Sequence, residues 1–378
     1  MRMKLISTTV HGLFGNKNPQ SLSFQEDLNI VTGRNGSGKT TIMKLIWYVI
    51  SGQIVLALSE VTFSRVEVRT SEYLITIFRT GSVTCKVRWE SGGRVIEYED
   101  GEDEDGDMSN AEDEPNRRLR KAGASIFFPT FRRIEGGFGS LDRNPFFEGP
   151  SRRPGADLEV ALNTLSTKLS SDRHRFVSAL STSDIESLLL KQYTEASEVA
   201  NQVQVQTSSK IINEIKDFKQ DKYVTPDSGL SAENALDNIR NMVEDMERQR
   251  ASALAQYEAI RELVLRIFRH SGIKVGRLSL GDAAASISSD ALSAGEKQML
   301  SFLCYNAFYT DAIIFIDEPE LSLHVDWQRQ LFPTLFNQKK NNQFIIATHS
   351  PFIYSKYPDN EIRLTNDRGD EMNLEVME

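Results

Sequence analysis

The chain has 378 residues, 39% hydrophobic and 26% charged, an ordinary globular composition that suits about two domains or one α/β domain with an insertion. Its two cysteines, Cys85 and Cys304, exclude a disulfide scaffold or a zinc–cysteine site and fit a reducing, cytoplasmic setting, both reading as small buried hydrophobes. No run approaches the roughly 18 apolar residues of a membrane span, so no membrane association is expected. The net charge of −9 is local: eleven acids lie between Glu97 and Glu114 with no Lys or Arg among them, and setting them aside leaves +2. That run reads as a solvated loop, and net charge leaves a nucleic-acid role open.

At the start, Met1-Arg2-Met3-Lys4 is basic, but Ser7, Thr8, Thr9 and His11 interrupt any apolar stretch of a signal peptide. Residues 3–10 and 21–32 read as two strands, with Gly12 to Pro19 as the turn between them. The second runs into Gly33-Arg34-Asn35-Gly36-Ser37-Gly38-Lys39-Thr40-Thr41. Gly33, Gly38, Lys39 and Thr40 have the spacing of a phosphate-binding loop, in which glycines let backbone N–H groups face phosphate oxygens. Lys39 is expected at the β- and γ-phosphates, and the Thr40 hydroxyl at Mg²⁺. The apolar residues 42–50 continue as a helix whose N-terminal dipole favours the anion.

Apolar positions then alternate within 63–68, 73–78 and 83–89, which predicts an antiparallel sheet exposed on one face. Residues 124–129 return to a buried strand, followed by Arg132 and Arg133 at its carboxyl end, where α/β sheets place ligands. Residues 136–155 are rich in Gly, Pro and Arg and read as a linker. From 157 to 270 the pattern is helical. Ser183 and Glu186 have capping-box spacing, and a seam from Leu236 to Ile267 in steps of three and four, broken at Arg250, predicts a helix about 55 Å long. It fits either an antiparallel lobe or an arm that contacts a partner or DNA.

The apolar strand 312–316 ends in Asp317-Glu318. Beside a phosphate loop, Asp317 suits a Mg²⁺ ligand and Glu318 the general base for water.

Four ordered motifs, the phosphate loop and three later ones, carry a family resemblance. Leu292-Ser293-Ala294-Gly295-Glu296-Lys297-Gln298 resembles the signature of ABC ATPases, with Ala294 and Glu296 as departures. Phe344 to Pro351 resembles their switch strand, with His349 as the histidine that senses the γ-phosphate. Asp317-Glu318-Pro319-Glu320-Leu321-Ser322-Leu323-His324, with His324 where transporter ATPases carry Asp, looks like the OLD (overcoming lysogenisation defect) family and its RecF-like relatives. The resemblance implies an α/β P-loop NTPase of ABC type: a parallel central sheet, an antiparallel β-subdomain and an inserted helical lobe. It divides the chain into 1–135 and 275–378 as the head and 136–274 as the insertion.

It further implies slow, regulatory hydrolysis of ATP with Mg²⁺. Ser293 and Gly295 of one copy would close on the ATP held by residues 33–41 of another, so that ATP seals a homodimer or higher oligomer. Only residues 350–378 follow His349, so the nuclease domain that OLD proteins append is expected on a separate effector chain, a nuclease or toxin, plausibly in anti-phage defence. The alternative is a RecF/SMC-like DNA-binding ATPase in repair. No Q-loop glutamine follows Phe127-Phe128-Pro129, and Phe14 is the aromatic considered for stacking on adenine.

Overall fold

The computed structural model describes residues 3–102, 108–130, 133–134, 164–171, 173–180, 182–221, 236–255 and 293–364. The linker read at 136–155, Arg132 and the last part of the heptad seam lie outside the described residues. Strands of three or more residues are β1 (Leu5–His11), β2 (Gln20–Ser23), β3 (Leu28–Thr32), β4 (Arg65–Thr70), β5 (Leu74–Arg79), β6 (Cys85–Ser91), β7 (Arg94–Tyr98), β8 (Ser125–Phe128), β9 (His174–Phe176), β10 (Ile313–Asp317), β11 (Gln343–Ala347) and β12 (Glu361–Arg363). Helices of seven or more residues are α1 (Lys39–Ile50), α2 (Ile54–Glu60), α3 (Asp113–Leu119), α4 (Thr182–Asp221), α5 (236–255), α6 (Ala294–Phe308) and α7 (Val325–Asn337).

Uniformly apolar and alternating strands sort into different sheets. The alternating ones form an antiparallel sheet in the order β2-β1-β4-β5-β6-β7, and the uniformly buried β3, β8, β10 and β11 lie in a parallel sheet in the order β9-β8-β10-β11-β3-β12. A parallel sheet covered on both faces needs apolar residues on both, and neighbours in β8 divide that work. Phe127 faces α1, its ring 5.6 Å from Trp47, whereas Phe128 meets Phe302 of α6 edge-on at 5.0 Å. Helix α1 touches β4 on one side and β10 and β11 on the other. Nine of its twelve residues are buried, as a helix between two sheets requires.

The second predicted strand divides. Gln20–Ser23 joins the antiparallel sheet and Leu28–Thr32 the parallel one, because Gln25 and Asp27 turn their hydrogen bonds inward: Gln25 N donates to Asn29 Oδ1 and Leu28 N to Asp27 Oδ1, both at 2.7 Å. The two sheets are joined at this end by Gln343, a buried amide that accepts from Leu5 N at 2.7 Å and donates to Leu5 O and Gln25 O at 2.8 and 2.7 Å. Cys85 and Cys304 are both buried, and burial pushes each thiol up to about 12.

The chain forms two compact units, Met1–Leu180 with Ser293–Glu378, and Ser181–Leu292. The first part of the head therefore runs past residue 135: β9, within the stretch read as helical insertion, pairs with β8 in parallel. The second unit contains α4, a helix of 40 residues, and α5, with Asn238 Nδ2 donating to Glu214 Oε1 at 3.3 Å. Helix α4 begins at Thr182, so Ser183 lies inside it rather than ahead of it. No helix among the described residues is long and apolar enough to cross a membrane.

His174 fixes β9 against the head. Its Nδ1 lies 2.8 Å from Ser125 Oγ and its Nε2 3.2 Å from Leu119 O, so the Nε2–H tautomer satisfies both contacts. Burial holds the imidazole neutral, down at about 4. The unfolded chain takes up this proton near the ordinary value of about 6.5, so the folded state loses stability as pH falls from there and stops losing it below about 4. The difference amounts to about 3 kcal/mol. Chemical denaturation between pH 7 and 4 is expected to show that decline in the wild type and a shallower one in His174→Gln.

Candidate functional site

The chain leaves β3 through a loop whose glycines have φ of +153° at Gly33, +80° at Gly36 and +92° at Gly38. A side chain would be strained by these φ values and crowded at two of the positions. A Cβ at Gly33 would stand 2.8 Å from Ser37 Oγ and 3.0 Å from Leu364 O, and one at Gly38 2.7 Å from the ring of Phe14. Arg34, Asn35 and Gly36 are exposed, Ser37, Gly38 and Lys39 are buried, and Thr40 and Thr41 are half-buried on the first turn of α1. The buried Ser37 Oγ has no hydrogen-bond partner among the described residues. Lys39 Nζ donates to Gly33 O at 3.0 Å and Arg34 O at 3.1 Å. The loop thus encloses its own cation.

Asp317 and Glu318 arrive from β10. Asp317 is fully buried, and Thr130, just past β8, donates its hydroxyl to Asp317 Oδ2. Thr130 stands where a Q-loop glutamine was sought; only spatial pairing reveals it. Glu318 adopts the left-handed conformation, φ 48° and ψ 63°, uncommon for a residue with a Cβ and a form of backbone strain found at functional sites. Its N–H donates to Ala347 O at 2.8 Å, and Thr348 N donates to Val31 O at 3.3 Å, so the ends of β10, β11 and β3 are tied together just before His349.

The titrating groups report the same neighbourhood. Burial, followed by the charges of Asp317 and Glu320, raises the Glu318 carboxyl, against the pull of His349 and Lys39. Burial also lowers the Lys39 ammonium, against Glu318, Asp317 and Glu320. Five of these side chains therefore converge: Lys39, Asp317, Glu318, Glu320 and His349. Glu320 was not singled out from the sequence. It accepts the His349 backbone N–H on Oε1 at 2.7 Å.

Ser293 and Gly295 have duties within their own chain. Ser293 caps α6 in a capping box, with Glu296 N donating to its Oγ at 3.3 Å and Ser293 N donating to Glu296 Oε2 at 2.8 Å. Glu296, a departure from the signature pattern, is thus the reciprocal partner that this box requires. Gly295 is buried, and a Cβ there would come within 2.4 Å of Ser322 O, so α6 is seated directly on the Pro319–Ser322 turn. Gln298 Nε2 adds a bond to Pro319 O at 2.8 Å. His324 caps α7, its Nδ1 accepting from Asp326 N at 3.4 Å.

The positive-φ cradle, the buried Ser37 hydroxyl and Lys39 suit a polyphosphate. No group of three or more His, Cys, Asp or Glu among the described residues could hold a metal. Thr40 and Asp317 offer two oxygen ligands, which suits Mg²⁺, since that ion keeps several waters and shares its shell with substrate phosphates.

The family described as "AAA domain, putative AbiEii toxin, Type IV TA system" matches residues 28–355, from the first residue of β3 to beyond His349. The chain belongs to this AAA family. Its curated relatives match over short segments. "Retron Ec83 probable ATPase" of Escherichia coli is 37% identical over 81 residues, 18% of this chain and 15% of that protein. "Retron Vc95 probable ATPase" of Vibrio cholerae is 38% identical over 55 residues, and "Endonuclease GajA" of Bacillus cereus is 41% identical over 63, each covering 15% of this chain and 11% of the relative. Among solved structures, the Smc head domain with an extended coiled coil from Pyrococcus furiosus, bound to the C-terminal domain of ScpA, aligns over 96% of this AAA chain and 93% of its own, with 14% identity and a TM-score of 0.38.

Removing the hydroxyl that supports Asp317 tests the site's internal economy. A Thr130→Val protein leaves a buried carboxylate short of one donor, a loss of about 1–3 kcal/mol. Urea unfolding without nucleotide should show that loss with an unchanged m-value.

Proposed function

We propose that this AAA protein binds and slowly hydrolyses ATP, and that it does so as an OLD-like ABC ATPase whose nucleotide is shared between two copies. The observation that carries the reading is the convergence of Glu318, Asp317, Lys39 and His349 at the carboxyl edge of the parallel sheet. Residues Gly33 to Thr41 take the phosphates, with Lys39 leaving its loop carbonyls for the phosphate oxygens. Mg²⁺, held by Thr40 and Asp317, would supply charge neutralisation for the departing phosphate oxygens. Glu318, raised by burial and by its acidic neighbours, takes a proton from water as the water oxygen bonds to the γ-phosphorus and the bond to ADP breaks. His349 faces the same phosphate.

Exposed Ser293, at the head of α6, meets the nucleotide of a second copy, with Gly295 behind it. ATP then seals a homodimer and hydrolysis opens it. The open and closed forms serve as sensor and scaffold for an effector, a nuclease or toxin, in anti-phage defence. Support for that role comes from the family's toxin–antitoxin description and from relatives named as retron ATPases and an endonuclease.

Glu318→Gln is expected to lower phosphate release by about 10²–10⁴ while ATP still binds and the dimer persists on a sizing column. Wild-type turnover in that variant would refute the assignment. Lys39→Ala and Ser293→Arg, each inactive alone, should recover activity on mixing, because each mixed dimer keeps one intact pocket. No recovery would refute the shared pocket.

A further inference from the structure

The Pro319–Ser322 turn does more than connect β10 to α7. Its far side is seated on α6 through Gly295 and Gln298. On its other side Glu320 reaches the chain leaving β11, with Oε1 accepting the His349 N–H at 2.7 Å. Its second oxygen, Oε2, is buried and has no hydrogen-bond partner among the described residues. A surface acid with no role beyond solubility would turn both oxygens to water. Glu320 instead places a third negative charge beside Asp317 and Glu318, an arrangement that costs free energy which a neutral acceptor would avoid.

The peptide that Glu320 holds is otherwise fixed on both sides. Thr348 N is bonded to Val31 O at 3.3 Å, Ser350 N to Thr348 Oγ1 at 3.0 Å, and Ser350 Oγ to Gln328 Oε1 at 2.6 Å. Between these anchors, the His349 amide is bonded to the side chain of Glu320. A backbone amide held in one orientation fixes the Cα–Cβ direction of its residue, and therefore where the imidazole starts. A misplacement of about 1 Å in such a group lowers turnover on the order of 10²-fold.

We propose that Glu320 is a positioning residue for His349, clamping the histidine's backbone so that its imidazole is delivered to the reacting phosphate. The clamp also makes the turn a mechanical link, since the same four residues carry α6 on one side and His349 on the other. This inference rests on the hydrolytic reading of Glu318 and His349, and the experiment separates the two.

Phosphate release and ATP affinity are to be measured on the full chain for Glu320→Ala, Glu320→Gln, His349→Ala, the Glu320→Ala/His349→Ala pair and Glu318→Gln. Glu320→Ala is expected to lower kcat about tenfold or more with KM changed less than about twofold. Glu320→Gln, whose amide oxygen still accepts the N–H, should recover most of that loss. The double variant should be no slower than His349→Ala, because one contact acts through the other.

Exchange of the His349 amide proton gives a readout free of turnover. Without nucleotide, it should quicken about tenfold or more in Glu320→Ala and little in Glu320→Gln. Wild-type kcat in Glu320→Ala, multiplicative losses in the pair, a Glu320→Gln as slow as Glu320→Ala, or unchanged exchange would each overturn the proposal. If Glu318→Gln turns over as the wild type does, the hydrolytic reading fails; if Glu318→Gln is inactive and Glu320→Ala is not impaired, the clamp alone fails.

Discussion

The register of three parallel strands governs the site. Ala347 of β11 lies opposite both Asp317 of β10 and Val31 of β3, so the three strands end level with one another. Each strand hands over to a different chemical part: β3 to the glycine-rich loop after Thr32, β10 to Glu318, and β11 to His349, just beyond the bonds of Glu318 and Thr348 to Ala347 and Val31. A slip of a single residue in either pairing would move one part about 3.3 Å along its strand and reverse the faces of its side chains. Every residue of the three strands is buried, which secures them between the layers on their two faces.

Helix α1 connects that edge to the rest of the head. It is buried between the sheets, and Trp47 near its far end packs against Phe127 and Phe176 at 5.6 and 5.4 Å. The same helix begins at Lys39, so the aromatic cluster that holds β8 and β9 also holds the start of the cradle. Burying Lys39 and Asp317 beside the half-buried Glu318 has electrostatic consequences, visible in the opposed shifts of Glu318 and Lys39. The strained backbone of Glu318 accompanies them. Such local conflicts are typical of sites where chemistry takes precedence over stability.

Distance along the chain decided which parts were legible in the sequence. The phosphate loop, the acids ending β10 and the histidine after β11 are short patterns in which each residue type is demanded at a fixed spacing. Thr130 with Asp317 and Glu320 with His349 are separated by 187 and 29 residues; Thr130 sits in no recognisable pattern, and Glu320 lies within the motif of residues 317–324 without a role of its own being readable there. Strand β9 is only three residues, too short for periodicity to register; its pairing with β8 creates it. Ser293 and Gly295 were read through their resemblance to a nucleotide contact. The capping box and the close approach to Ser322 O supply additional reasons for a hydroxyl and a missing Cβ at those positions. The 40-residue length of α4 was hidden because its apolar residues include exposed ones, Val199, Val205, Ile212 and Ile215, rather than a continuous buried seam.

The engagement of Lys39 with Gly33 O and Arg34 O bears on how the cradle binds. A phosphate entering the cradle would have to draw the ammonium away from two carbonyl dipoles that it already satisfies, so the loop rests closed on its own backbone and binding there would carry the cost of opening it.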